Sequence, residues 1–160
     1  MEIFNGQCTC GSTKIQFGLP KADEIPNQII CHCLFCKRIT GACFTRSIFV
    51  PRASITFPAE TPKIYYHQPT TSTSGAAPGL KWHFCSTCGN QLFSENPLAA
   101  GQAIVRVGIL DRQDEFTKIQ MQLFCKRANE WVKDIFENGA GKFDEMPNLD
   151  EMPNRPIAGP

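Results

Sequence analysis

The sequence predicts a mainly β domain in which small antiparallel sheets pack around metal sites, with only short helical turns. Three observations carry that expectation: short segments of alternating polar and apolar side chains, prolines at 51, 58 and 62 that cut the chain into brief runs, and seven cysteines in three tight clusters. Alternation with period two marks a strand with one buried face. Closely spaced prolines exclude long helices and keep strands short.

Taken in order, residues 13–18 (TKIQFG) alternate, so the chain begins in β-structure. Residues 19–27 carry Pro20 and Pro26 and read as a loop; 28–31 form a short apolar strand leading to the central cysteines. About one helical turn fits 35–40 before Gly41, a residue that readily takes the left-handed backbone ending a helix. Further short strands are expected at 44–50, 55–57 and 63–66. The stretch 69–79 (PTTSTSGAAPG) has no large apolar side chain and belongs at the surface. Strands at 81–84 and 91–94 enter and leave the last cysteine pair, 103–110 (AIVRVGIL) is the most apolar strand, and 117–123 alternates again. Over 129–136, Trp131, Ile135 and Phe136 line one face of a short helix or turn. Phe44, Phe84, Phe93, Trp131 and Phe136 are candidate core residues. One domain thus spans 1–143, and 144–160, which twice repeats DEMPN and is rich in Pro, Asn and acid, is expected to be a flexible tail, of which 148–160 is dispensable for folding.

At 160 residues the chain suits one domain, and a net charge of +1 supplies no field to draw it along a phosphate backbone or an anionic membrane. Neither nucleic acid nor membrane is an expected partner. The first residues, MEIFNGQCTCG, have neither the basic nor the apolar region of a secretory signal, which points to a cytoplasmic location. No glycine-rich phosphate loop and no Ser-His-Asp constellation is apparent.

The cysteines are the chemical signal. Nine is an odd number, and Cys8/Cys10, Cys31/Cys33/Cys36 and Cys85/Cys88 stand too close within each group for unstrained disulfides but suit the grip of one ion. Cys8 and Cys10, two apart in extended chain, point to one face. Cys85-x-x-Cys88 followed by Gly89 has knuckle spacing, in which a tight turn aims two thiolates at a metal. If these two pairs combine, four thiolates saturate one zinc and lock distant strands together, leaving Cys31, Cys33 and Cys36 as three ligands around a second zinc with an open position. Spacing equally allows Cys8, Cys10, Cys31 and Cys33 to form one site and Cys36, Cys85 and Cys88 the other. A soft, thiolate-rich open site favours a sulfur ligand such as a small thiol. Cys43 and Cys125 read as small buried apolar groups. His32, between two ligands, is expected to turn its ring away from the metal, whereas His67 and His83 are candidates for proton transfer or ordinary packed histidines.

Five stretches, GQCTCGSTKIQF at 6–17, CHCLFCKRITGACF at 31–44, FCSTCGNQLF at 84–93, VRVGILD at 105–111 and FCKRANEWV at 124–132, resemble in order the glutathione-dependent formaldehyde-activating enzyme family, also called the centromere-protein-V type, of Mss4-like fold. The resemblance covers about residues 3–145. It implies a structural zinc on Cys8, Cys10, Cys85 and Cys88 and a second, catalytic zinc on Cys31, Cys33 and Cys36. It further implies glutathione as co-substrate and a carbon–sulfur lyase or synthase acting on its adduct with formaldehyde or a larger electrophile. Thr40 and Gly41 then line the substrate cleft, while Arg38, Arg46, Lys81 and Arg106 are candidates to hold the carboxylates of the thiol. The rival expectation is a non-catalytic double-zinc module that binds a protein partner.

Overall fold

The computed structural model describes residues 1–19, 28–68, 79–135 and 141–143. The stretch 69–78, the tail 144–160 and Phe136 lie outside them.

Alternating segments become strands, as their period requires. β1 (Glu2–Gln7) and β2 (Lys14–Leu19) pair antiparallel in a small sheet. The larger sheet contains β3 (Gln28–Cys31), β4 (Thr45–Pro51), β5 (Lys63–His67), β6 (Leu80–Phe84), β7 (Gln91–Glu95), β8 (Gln102–Arg106), β9 (Ile119–Leu123) and β10 (Gly141–Lys142). Their order across it is β10-β9-β3-β4-β8-β7-β6-β5. The mainly β class is as expected, but this main sheet is large and mixed. The late strand β9 runs parallel to β3, a pairing between segments some ninety residues apart that local pattern does not encode, and β10 runs parallel to β9.

Two apolar cores result. In the first, Phe4, Ile15 and Phe17 of the small sheet meet Ile48, Val50, Phe93 and Val105 of the large one. In the second, Ile29, Trp82, Met121, Leu123 and Phe124 pack with Phe35 of the short helix α1 (Leu34–Thr40). That helix ends where expected, at Gly41 with φ 65°. Cys8 and Cys85 belong to the first core, Cys33 and Cys36 to the second.

Several local expectations are corrected. The strand expected over 103–110 stops at Arg106, because Gly108 has no side chain to hold extended pairing; Val107–Ile109 turn instead, burying both Val107 and Leu110. Of 55–57 only Thr56 pairs, bridging to Gln16. The buried face of α2 (Glu130–Ile135) is that of Val132, and Trp131 is 55% exposed. Phe93 is buried, whereas Phe44, Phe84, Cys43 and Cys125 are half-buried. Among the described residues no helix is long and apolar enough to cross a membrane.

Candidate metal centres and the adjoining cavity

Two similar turns build the first centre. After β1, the amide of Gly11 donates to the Cys8 carbonyl at 3.0 Å; after β6, that of Gly89 donates to the Cys85 carbonyl at 2.9 Å. Both glycines have left-handed backbones, φ 77° and 73°. Cys8 and Cys10 therefore sit in a turn and not in extended chain. Each inner sulfur accepts an amide hydrogen bond, from Thr13 to Cys8 at 3.3 Å and from Thr87 to Cys85 at 3.4 Å. The turns are tied to each other by Thr9, whose amide and hydroxyl both donate to Asn90 Oδ1, at 3.1 and 3.3 Å.

The four sulfurs lie within 4.8 Å of one another, with Cys8 to Cys10 at 3.5 Å and Cys10 to Cys85 at 3.8 Å. Ligands about 2.3 Å from one tetrahedral zinc ion stand about 3.8 Å apart, so the set fits that ion. The thiols titrate unequally: burial pushes Cys8 up, hydrogen bonds with Ser12 draw Cys10 down, and Cys85 is drawn to about 6, first by the Thr13 side chain.

Cys31, Cys33 and Cys36 form the second group, also within 4.8 Å. Cys31 ends β3, Cys33 caps α1 by accepting the Cys36 amide at 3.3 Å, and Cys36 stands in the first turn. This geometry selects the four-plus-three division over the other division that spacing allowed. The Cys36 thiolate is strongly favoured, first by Cys31 and Cys33 as hydrogen-bond partners, with Arg106 and Thr45 adding to them. Cys31 is pushed well up by Cys33 and Cys36, and Cys33, drawn down by Cys31 but pushed up by Cys36 and burial, lies at about 11. Three buried or half-buried sulfurs suit a thiophilic ion and leave one tetrahedral position without a protein donor, since no fourth Cys, His, Asp or Glu joins the group among the described residues.

The histidines stand elsewhere. His32 is buried, with its Nε2 3.2 Å from Gln122 Oε1 and its amide bonded to the Leu123 carbonyl, so it clamps the ligand loop to β9. His83 stacks on Phe93 at 3.9 Å and donates Nε2–H to Glu95 at 2.6 Å, in the first core. His67 packs on Phe35 at 4.2 Å.

A cavity of about 620 Å³ opens beside the first centre, whose Cys88 lines it; Cys31, Cys33 and Cys36 do not line it. One side is the end of α1 and the start of β4 (Ile39, Thr40, Phe44, Thr45, Arg46); the other is the first centre's turns (Thr9, Cys88, Asn90) and the end of β8 (Arg106). Of the candidate substrate residues, Thr40, Arg46 and Arg106 line it; Gly41 lies between two lining residues as the α1 cap. Arg38, exposed, and Lys81, half-buried on β6, do not line it. Thr40 also ties the cavity wall to the second centre, its hydroxyl donating to the Cys36 carbonyl at 2.7 Å. Thr45, Asn90 and Gln91 carried no sequence signal, because ordinary polar residues become significant only when the sheet order brings them together.

A mainly β domain with one group of four sulfurs and one of three, each close enough together to hold a metal ion, defines a protein whose cysteine clusters are compatible with zinc. Residues 3–127 match the model of the glutathione-dependent formaldehyde-activating enzyme family, and the chain belongs to that family. Its fold is similar to the crystal structure of a Rhodobacter sphaeroides protein, at 19% identity, TM-score 0.52, and coverage of 87% of this chain and 98% of that one. Among curated proteins none matches the sequence significantly.

Proposed function

We propose that the chain is a zinc-dependent carbon–sulfur lyase or synthase that makes or breaks the bond between glutathione and formaldehyde or a larger electrophile, in a cytoplasmic setting. The observation that carries this reading is the three-thiolate group with no fourth protein donor among the described residues, joined through Thr40 to a cavity large enough for a peptide-sized thiol. A protein-binding module would be better served by a closed second centre, and neither Cys43 nor a histidine completes it.

Cys8, Cys10, Cys85 and Cys88 would hold a structural zinc, and Cys31, Cys33 and Cys36 a second. The second ion, when bound, supplies Lewis acidity that stabilises a thiolate at neutral pH. The chain does the rest. Cys33 and the α1 amides fix the ligand loop, Thr45 and Arg106 stabilise negative charge at Cys36, and the apolar surface of Phe44 and Ile39 limits water around the adduct.

The test is the exchange rate between free glutathione and its formaldehyde adduct, read by NMR with zinc-loaded protein. Wild type should exceed the spontaneous rate at least tenfold and Cys36→Ser should not exceed it. Spontaneous rates with formaldehyde and with larger aldehydes alike would end the enzymatic reading.

A further inference from the structure

Two arginines of this protein have carboxylate partners. Arg52 pairs with Glu95, and Arg112 with Glu2 and Glu115. Arg106, at the end of β8 and only 8% exposed, pairs with no carboxylate among the described residues. One guanidinium nitrogen donates to Ser47 Oγ, and the group lies over the Trp82 ring, Cζ 4.5 Å from its centroid. Its Nε is buried without an acceptor, and so is the indole nitrogen of Trp82 beneath it.

A buried N–H without an acceptor is costly, so native proteins keep few of them. The stacking contact gives Arg106 a fixed plane, and the Cys36 thiolate nearby favours its charge, but neither supplies an acceptor for Nε. What distinguishes its position is the cavity, whose wall it forms together with Thr45 and Gln91. Arg46 lines the same cavity, but its Nε already donates to Gln28 Oε1 at 2.6 Å and its Nη2 reaches the Phe116 carbonyl. Of the two basic residues in the wall, Arg106 is the one with a buried donor that lacks an acceptor.

We propose that Arg106 is the cavity's anion receptor: it binds a carboxylate of the peptide-like thiol and makes the site select acidic over neutral ligands. Trp82 is the positioning residue that holds the guanidinium plane in readiness. The inference takes from the proposed function only that the cavity is the substrate's, and it requires no chemistry at the second metal.

The probe is S-methylglutathione, which keeps both carboxylates and has no free thiol, compared with its diethyl ester, which keeps the amino group and has no carboxylate. Binding to zinc-loaded wild type, Arg106→Gln and Arg106→Lys is measured calorimetrically, with near-ultraviolet circular dichroism and metal content confirming the fold. Arg106→Gln should weaken the diacid at least tenfold and leave the ester within twofold; Arg106→Lys should keep part of the preference. Should Arg106→Gln fail to fold, the lysine variant decides, because it keeps the charge but not the flat fork: a reduced acid-to-ester ratio supports the receptor and an unchanged one overturns it. Equal diacid affinity in wild type and Arg106→Gln, equal weakening of acid and ester, or no diacid binding to wild type would each overturn it. A protein without catalytic exchange whose acid preference still vanishes in Arg106→Gln retains this receptor and loses the carbon–sulfur chemistry; an active protein indifferent to Arg106→Gln does the reverse.

Discussion

The two sulfur clusters use the same ligand and stand in different relations to the chain. The four-sulfur centre joins turns 75 residues apart, as Cys10 and Cys85 show, and its inner sulfurs lie in the core between the two sheets. The three-sulfur centre lies within residues 31–36, closes no long loop, and packs in the core on the other side. A crosslink restricts the unfolded chain more as the loop it closes lengthens, so the first centre is built to hold the fold. The second spans one strand end and one helical turn and has no fourth donor among the described residues, which suits a centre that meets a ligand. Ligand count and sequence separation, more than ligand type, divide structural from reactive sulfur.

The largest effect expected from breaking this contrast comes from Cys85→Ser. A structural zinc contributes roughly 10–16 kcal/mol to a small domain, at or above the whole stability of about 5–15 kcal/mol. Cys85→Ser should therefore lack a cooperative thermal transition at 25 °C and above. Cys36→Ser should stay folded, with one metal ion per chain in place of two, and lose activity. Circular dichroism and elemental analysis check both, and equal unfolding of the two variants would erase the distinction.

Proton release sharpens the same contrast. Cys31 and Cys33 are pushed above the usual thiol range while Cys36 is held below it, so at pH 7 the trio carries two protons that zinc must displace. Affinity at this site should fall about 100-fold for each unit the pH drops, since two protons then compete with the metal. At the four-sulfur centre Cys85, at about 6, is already ionised at pH 7. Calorimetry of the second zinc equivalent binding to wild-type protein that already holds one ion, in buffers of different ionisation enthalpy, counts the protons of the trio; a trio that releases none contradicts the assignment.

How much of this was legible beforehand follows from the range of each interaction. Alternation located β2, and Gly41 located the end of α1, because both depend on neighbouring residues. The cysteine groups were plain, yet spacing alone allowed two divisions, and only the meeting of the Cys10 and Cys85 turns chooses between them. The β3–β9 pairing escaped because nothing local specifies a partner ninety residues away. Trp131 was misread by helical phase: a six-residue helix is too short for its apolar face to be inferred, and Val132 is buried instead. Arg106 was one of four basic candidates to hold the thiol's carboxylates, but its place over Trp82 and beside Cys36 required the sheet order.

A smaller test compares backbone strain near the two centres. Gly11, in the first centre's turn, and Gly41, at the end of α1, both have left-handed backbones, and an added Cβ would touch nothing within 4 Å at either. Alanine should cost about 1 kcal/mol at each position through strain alone, or about 2–4 °C in Tm. Only Gly41→Ala should also lower kcat/KM, because it shifts Thr40 and Ala42 of the cavity wall. Matched activity losses would show that the four-sulfur turns reach the reaction directly.

The smallest expected effect concerns the far end of the hairpin that carries Cys85 and Cys88. There Glu95 accepts from Arg52 at 3.2 Å and from His83 at 2.6 Å. Burial pulls His83 below the usual imidazole range more than Glu95 raises it, so at neutral pH His83 is an uncharged donor and Arg52 is the ionic partner. Burial also opposes the Glu95 charge, but Arg52 and His83 outweigh it and hold the carboxyl below its usual range. A depressed carboxyl stabilises the fold above its unfolded titration range, and that contribution is complete at pH 7 and lost only as pH falls through the lowered value. Glu95→Gln keeps an acceptor for His83 and removes the charge from a pair that is about a third exposed, so it should cost less than about 1 kcal/mol at pH 7. Tm should drop by less than about 4 °C, and the gap should narrow in about 1 M salt, which screens exposed pairs. Loss of the cooperative transition, as expected for Cys85→Ser, would mean that this ionic end, and not the four sulfurs, holds β6 in the sheet.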